Sequence, residues 1–173
     1  TSTATTGNGF GIDFWSGGTI STGGGNVWLR GRGTTSGSAN GWATHINGSI
    51  DASGASGASG GTIHLEGIAR GTGGNNQGVT IDSSAVVKTS NTAADAILIT
   101  GDASTSTSTV TIGVNIDGTV ETTGTGGGNI AITGLAGYNS SNTVRWGISF
   151  NGPTASVLAK SGNIVLEGNG NTG

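Results

Sequence analysis

The chain has 173 residues, 9% of them charged, with a formal net charge of -3, 37 glycines and no cysteine. The low net charge argues against a disordered segment, which usually combines low hydrophobicity with high charge, and there is no basic surface for nucleic acid. Without cysteine there is no disulfide framework and no thiolate metal site. No apolar run approaches the roughly 20 residues of a membrane span. We expect a single domain over residues 1–173.

The first predicted strand covers residues 10–14, where apolar and small residues alternate with the period of a half-buried strand. The pattern returns at residues 42–46, 77–81, 112–116 and 146–150. We assign its first, third and fifth residues to the interior, with Thr44 and Gln77 as polar exceptions. The second residue is then expected to face outward; it is Gly11, Ala43, Gly78, Gly113 or Gly147. This small stripe is either a corner or a groove for another backbone.

A shorter strand follows in each repeat. Its inward positions are predicted to be an aliphatic residue and the residue two places later. The aliphatic residues are Ile20, Ile50, Val86, Val120 and Val157. In the third repeat this assignment places Lys88 at the second inward position. We expect Lys88 to lie at a strand end with its ammonium group in water.

The third strand of each repeat closes on a glycine. The five sequences are NVWLRG, TIHLEG, AILITG, NIAITG and NIVLEG, which end at Gly31, Gly67, Gly101, Gly134 and Gly168. These glycines recur every 33–36 residues, and the alternating aliphatics before them predict one inward face. Three short strands bury too little surface alone, so the coils must stack. The sequence therefore predicts an all-β parallel β-helix of about five coils, with three strands in each coil.

The residue after the 10–14 type of strand is predicted to form a corner. In the last four repeats it is Asn47, Asp82, Asp117 and Asn151. Asn and Asp tolerate the left-handed backbone of sharp turns, and stacked copies can hydrogen-bond along the column. Calcium binding is the alternative interpretation, although the nonapeptide of calcium-binding β-rolls is absent. We expect no metal ion and no cofactor.

The centre of the third strand produces an outward stripe that is largely apolar. Its members are Trp28, His64, Leu98, Ala131 and Val165. Exposed apolar surface usually marks a contact, which makes the stripe a candidate surface for lateral contact with another chain. The interpretation that we favour is that the long loop of each coil folds back and covers the stripe; lateral contact and a ligand surface are the alternatives.

No catalytic residue is predicted, and we expect no enzymatic activity. A glycosidase needs two carboxylates about 5–10 Å apart. Asp51 and Glu121 share a predicted column but lie two coils apart, with Val87 between them and no basic residue near. We interpret these acids as surface charges, and His45 and His64 as surface residues rather than metal ligands.

The strings GGNIAITG, SGNIVLEG, GVTID and GVNIDGTV resemble the repeats of secreted bacterial β-helical proteins, in particular the filamentous-haemagglutinin-like exoproteins and giant surface adhesins. The resemblance covers essentially the whole chain and implies a right-handed parallel β-helix with a structural or adhesive role on the cell surface or outside the cell. No charged strand or polar helix caps either end, so we expect further coils or other copies of the chain to cover the ends. The start, TSTATTGNGF, has no initiator Met and no leader pattern, which is expected of a mature product or a segment.

These observations lead us to expect the shaft of an extracellular filament or cell-surface adhesin. The main alternative is a module that binds surface polysaccharides through its loops and exposed aromatics such as Trp28 and Tyr138. Less favoured alternatives are a fragment of a carbohydrate-active enzyme and a segment of a phage tail fibre. Asn139 begins an N-glycosylation sequon and is the candidate acceptor.

Overall fold

The computed structural model describes residues 8–35, 40–55, 58–138 and 143–170. These residues form three five-stranded sheets. Sheet A contains β1 (Ile12–Phe14), β4 (Asn40–Ile46), β7 (Asn75–Ile81), β10 (Val110–Ile116) and β13 (Val144–Phe150). Sheet B contains β2 (Thr19–Ser21), β5 (Ser49–Asp51), β8 (Val86–Thr89), β11 (Thr119–Thr122) and β14 (Ser156–Ala159). Sheet C contains β3 (Val27–Arg32), β6 (Ile63–Ile68), β9 (Ile97–Asp102), β12 (Ile130–Leu135) and β15 (Ile164–Asn169).

Each strand pairs in parallel with the strand three places later in the chain, so the chain visits sheets A, B and C in turn and then begins the next coil. The closing glycines stack on one another from Gly31 to Gly168, as the sequence predicts. The parallel β-helix with three strands per coil is therefore confirmed. Its right-handedness stays a prediction.

The interior is a continuous column of aliphatic side chains contributed by all three sheets. Ile63, Ile97 and Ile130 of sheet C are fully buried against Ile46 and its stacked copies in sheet A. Each coil supplies only a few aliphatics, and burial is completed by the coils above and below. This explains how a chain so rich in glycine and threonine forms a core. Thr44, the polar exception in this column, donates its hydroxyl to the Glu66 carbonyl at 2.7 Å.

The small stripe of sheet A faces inward, not outward as predicted. Ala43 is fully buried, and the closing glycines of sheet C lie directly against the backbone at this position. A Cβ atom on Gly101 would come within 1.9 Å of the Gly113 carbonyl oxygen, and one on Gly134 within 1.8 Å of the Gly147 carbonyl oxygen. We call this line of contact the glycine seam. The backbone that packs closely on the small stripe thus belongs to the same chain.

The outer face of sheet A carries the column that was assigned to its interior. The column consists of Phe10, Trp42, Gln77, Ile112 and Trp146, none of which belongs to the main apolar cluster. In the pairing between β4, β7, β10 and β13, the small residue that follows this column is not among the paired residues. Strict alternation breaks at that residue, because the strand bends inward to reach the seam.

The third repeat also departs by one residue from the prediction for sheet B. Val87 and Thr89 are the inward residues and are fully buried, whereas Lys88 points outward. The cause is the turn at residues 82–85, which is longer than the turn that follows β4 and is closed by a 2.8 Å hydrogen bond from the Ala85 N–H to the Asp82 carbonyl.

The seam predicts that Gly101→Ala destabilises the fold severely. The added Cβ would meet a main-chain oxygen, so the two sheets must shift apart, and we expect a loss of about 3 kcal/mol in the free energy of unfolding, the upper end of what overpacking usually costs. Gly25→Ala is the matched control, because its nearest contacts would be at an ordinary 3.4 Å or more; we expect a change within about 1 kcal/mol there. Urea unfolding followed by circular dichroism measures both variants. Equal stability of Gly101→Ala and wild type would contradict the seam.

Candidate functional site

The candidate contact stripe is assembled in register along the outer face of sheet C. Trp28 aligns with His64, and the row continues through Leu98 and Ala131 to Val165. Trp28 is 70% exposed and Val165 is 47% exposed, whereas the three residues between them are half-buried. In the part of the chain that the structure describes, the stripe is thus open to solvent rather than covered by a loop.

An aromatic corner forms at one end of this stripe. The rings of Trp28 and His64 meet edge to face, with centroids 5.8 Å apart. They border a shallow pocket of about 290 Å³ whose rim also includes Glu66, Leu98 and Thr100. The combination of an exposed indole face with a carboxylate and a hydroxyl suits an amphipathic ligand, because apolar contact and hydrogen bonding are available side by side.

Beside the stripe runs a second outward row that contains charge. Arg30 and Glu66 occupy adjacent coils and form an ion pair, with Nη2 and Oε1 3.0 Å apart. Thr100, Thr133 and Glu167 continue the row. Glu66 and Glu167 are therefore separated by two threonines, and only the former has an arginine next to it within the row.

The outer face of sheet B carries an acid–base–acid row. Lys88 lies between Asp51 and Glu121, with its Nζ 3.3 Å from Asp51 Oδ2. Burial alone would raise the pKa of Asp51, but hydrogen bonds from Ser53 and Lys88, together with the lysine charge, outweigh it and lower the pKa. The prediction that Val87 separates the two acids, with no basic residue near, is wrong. In this row the positive charge of Lys88 therefore lies between the negative charges of Asp51 and Glu121 in the two neighbouring coils.

The predicted corner residues do stack, but through their backbones. The N–H groups of Asp82, Asp117 and Asn151 donate to carbonyls of the preceding coil at 2.8, 2.8 and 3.0 Å, and that of Asn47 donates at 2.7 Å. Their side chains have different partners. Ser84 donates to Asn47 Oδ1 at 2.6 Å, and Asn115, on the strand of the same coil, donates to Asp117 Oδ2 at 3.1 Å. The corner is thus a backbone ladder with varied side chains.

Two neighbouring corner acids, Asp82 and Asp117, differ in their surroundings. Burial raises the pKa of Asp117, and the negative charge of Asp82 raises it further, against the opposing effect of the Asn115 hydrogen bond. Asp82 instead places Oδ2 2.9 Å from the Nε2 atom of His45. One acid is therefore compensated by a ring nitrogen and the other is not.

His45 is the centre of a cluster that the sequence analysis did not find. Its Nδ1 lies 2.7 Å from Asp13 Oδ1, opposite the contact with Asp82, so three successive coils are joined through one ring. Phe10 stacks on the imidazole at 5.5 Å and Trp42 meets it edge-on at 4.7 Å. Each ring nitrogen thus faces one carboxylate oxygen, and the tautomer decides which nitrogen donates. His45 is a buried structural connector, not the surface residue predicted.

The remaining site predictions concern metals, modification and membranes. Among the described residues, no group of three or more His, Cys, Asp or Glu side chains is placed to hold a metal ion. In the same part of the chain, no helix has the length and apolar character to span a membrane. Asn139 lies outside the described residues.

Comparison of the chain with family models, curated proteins and solved structures finds no match. The resemblance to filamentous-haemagglutinin-like exoproteins therefore stays a prediction.

The two perturbed acids predict stability changes of opposite sign with pH. Because the pKa of Asp51 is lowered on folding, its charge stabilises the fold above about pH 4 and this contribution is lost as the pH falls. Because the pKa of Asp117 is raised, ionising it above about pH 4 costs stability. Asp51→Asn should therefore lower the melting temperature at pH 7, and Asp117→Asn should raise it.

Both effects should be small, since the two carboxylates are partly exposed, and both should shrink at pH 3. Thermal unfolding of wild type and both variants at the two pH values measures them. The assignment fails if the variants shift in the same direction at pH 7, or if either shift is larger at pH 3.

Proposed function

We propose that this chain is a segment of the shaft of an extracellular filament or cell-surface adhesin, built by stacking β-helical coils. The observation that carries the proposal is the uniform stack of coils, whose last described coil leaves its inward side chains half exposed. Phe150, Ile164 and Leu166 are 46, 42 and 46% exposed. The residues at the same positions one coil earlier are at most 1% exposed: Ile116, Ile130 and Ile132. Further coils, of this chain or of another copy, would bury them.

The stack is suited to carrying load. Hydrogen bonds between strands run along the axis of the solenoid, so a pull along that axis loads all the bonds between two coils together rather than one after another. The stacked aliphatics resist bending because the interior is continuous. The location outside the cell rests on the resemblance of the repeats to secreted β-helical proteins.

Electron microscopy of the native material, isolated without denaturation, tests this proposal. We expect long filaments with an axial repeat of about 4.8 Å, the spacing of strands in a sheet. Antibody labelling of intact cells should find the chain on the outside. Short monomeric particles would contradict the shaft, and trimeric particles would favour a segment of a phage fibre.

A second candidate function is polysaccharide binding at the aromatic corner of sheet C. It is favoured by the 70% exposure of Trp28 beside Glu66 and Thr100, because an indole face can pack on the apolar face of a sugar while polar neighbours bind its hydroxyls.

For this candidate we expect a hit on a glycan array that Trp28→Ala weakens by at least about tenfold, the usual effect of truncating a central aromatic anchor. Trp15→Ala is the matched control, since Trp15 is equally exposed at 70% but follows a strand of sheet A. Silence on the array, or equal loss in both variants, would contradict the candidate.

A further inference from the structure

The first and last coils of the described stack carry similar residues at several inward positions. Phe14 in β1 corresponds to Phe150 in β13, and Ile20 in β2 corresponds to Val157 in β14. In sheet C, the inward Val27 and Leu29 correspond to Ile164 and Leu166, and Gly31 corresponds to Gly168. At these four pairs an apolar residue corresponds to an apolar residue, and the glycine of the seam corresponds to a glycine.

Two kinds of polar contact join neighbouring coils within the chain, and each leaves a residue in the last coil that is suited to make the same contact with a further coil. The first is the ion pair of Arg30 with Glu66 in the next coil. The row that contains this pair ends at Glu167, an acid with a threonine as its neighbour within the chain.

In the second contact, the side-chain oxygen of an asparagine accepts a hydrogen bond from a backbone N–H group of the following coil. Asn26 Oδ1 accepts from the Thr62 N–H at 2.9 Å, and Asn129 Oδ1 accepts from the Asn163 N–H at 2.8 Å. Asn163 has the same residue type at the same column position in the last coil. Its side chain is thus suited to receive one more strand.

From this complementarity we propose that a second copy of the chain stacks head to tail and in register, with β13, β14 and β15 of one copy pairing with β1, β2 and β3 of the next. Glu167 then lies beside Arg30 of the next copy, and Asn163 Oδ1 accepts the N–H of its Asn26. The arginine sits between two acids, as Lys88 sits between Asp51 and Glu121 within the chain. This inference rests on the proposed shaft and names its partner and register.

A head-to-tail contact of this kind is open, because each added copy presents the same free face again. Growth should therefore have no fixed stoichiometry. A lateral contact through the stripe of sheet C would instead leave both end faces free and would not place Glu167 near Arg30 in this register.

Charge exchange tests the register with four proteins. Glu167→Arg places two arginines at the joint. The double variant Arg30→Glu with Glu66→Arg keeps the ion pair inside the chain but places two acids at the joint. The triple variant, with all three substitutions, restores opposite charges at the joint. Each variant is checked by circular dichroism; the changed residues lie on the outer face, so we expect them to fold as wild type does.

Sedimentation velocity over a range of protein concentrations measures the assembly. We expect wild type and the triple variant to form stacks that lengthen with concentration. Glu167→Arg and the double variant should need about 2- to 10-fold higher concentration for the same mean length, the effect of reversing an exposed ion pair. In about 1 M salt the difference should largely disappear.

The register is overturned if all four proteins assemble alike, or if the triple variant does not recover. It is also overturned if wild type stays monomeric or forms only closed dimers. These outcomes are distinct from failure of the shaft. If native filaments are found but charge exchange has no effect, the proposed shaft stands and this head-to-tail register is wrong. If the protein stacks in vitro in the expected register but the native source yields only short monomeric particles, the register stands and the proposed shaft is wrong.

Discussion

The structure depends on the contact between the closing glycines of sheet C and the main chain of sheet A. At Gly101 and Gly134 there is no room for even a methyl group, because the facing carbonyl oxygens occupy the place of a Cβ atom. This contact sets the width of every coil. It divides the interior into a larger part filled by Ile, Leu and Val and a smaller part lined by residues such as Ala43, Ala69 and Ala103. The recurring glycines at the end of each sheet C strand and the small residues that face them in sheet A both follow from it.

The narrow interior also determines where the tryptophans of the strands lie. Trp28, Trp42 and Trp146 all belong to outward columns, since none of the inward positions near the seam could hold an indole. Some of these rings are covered locally, as Trp42 is by Phe10 and His45, and others stay open. The surface rather than the core therefore holds most of the chemical variety of the molecule, and any partner must be recognised there or at the end faces.

The sequence was sufficient for the architecture because the repeats are visible as columns. Closing glycines and alternating aliphatics identify three strands per coil, and their stacking then follows without further information. The errors arose where local pattern and repeat length disagree. Val86 and Val87 satisfy the alternation equally well, and only the length of the turn at residues 82–85 decides between them. The prediction that the small stripe faces outward is wrong because it continues the period-two alternation through the bend in the strand. The contacts of His45 could not be predicted from the sequence because its two carboxylate partners, Asp13 and Asp82, come from different coils.

In a stack of similar coils, the apolar core does not specify which coil stacks on which. Ile63, Ile97 and Ile130 are identical in the same column, so shifting one stack on another by a whole coil changes little in the apolar interior. The outward contacts are different in each pair of coils. Arg30 with Glu66 occurs at one level, Lys88 with Asp51 at another, and the His45 cluster spans three. Each is worth little as stabilisation when exposed, but a shifted stack would replace attraction by repulsion or leave a buried polar group without its partner. The aliphatic columns thus provide the cohesion, and the sparse charges specify which coil follows which.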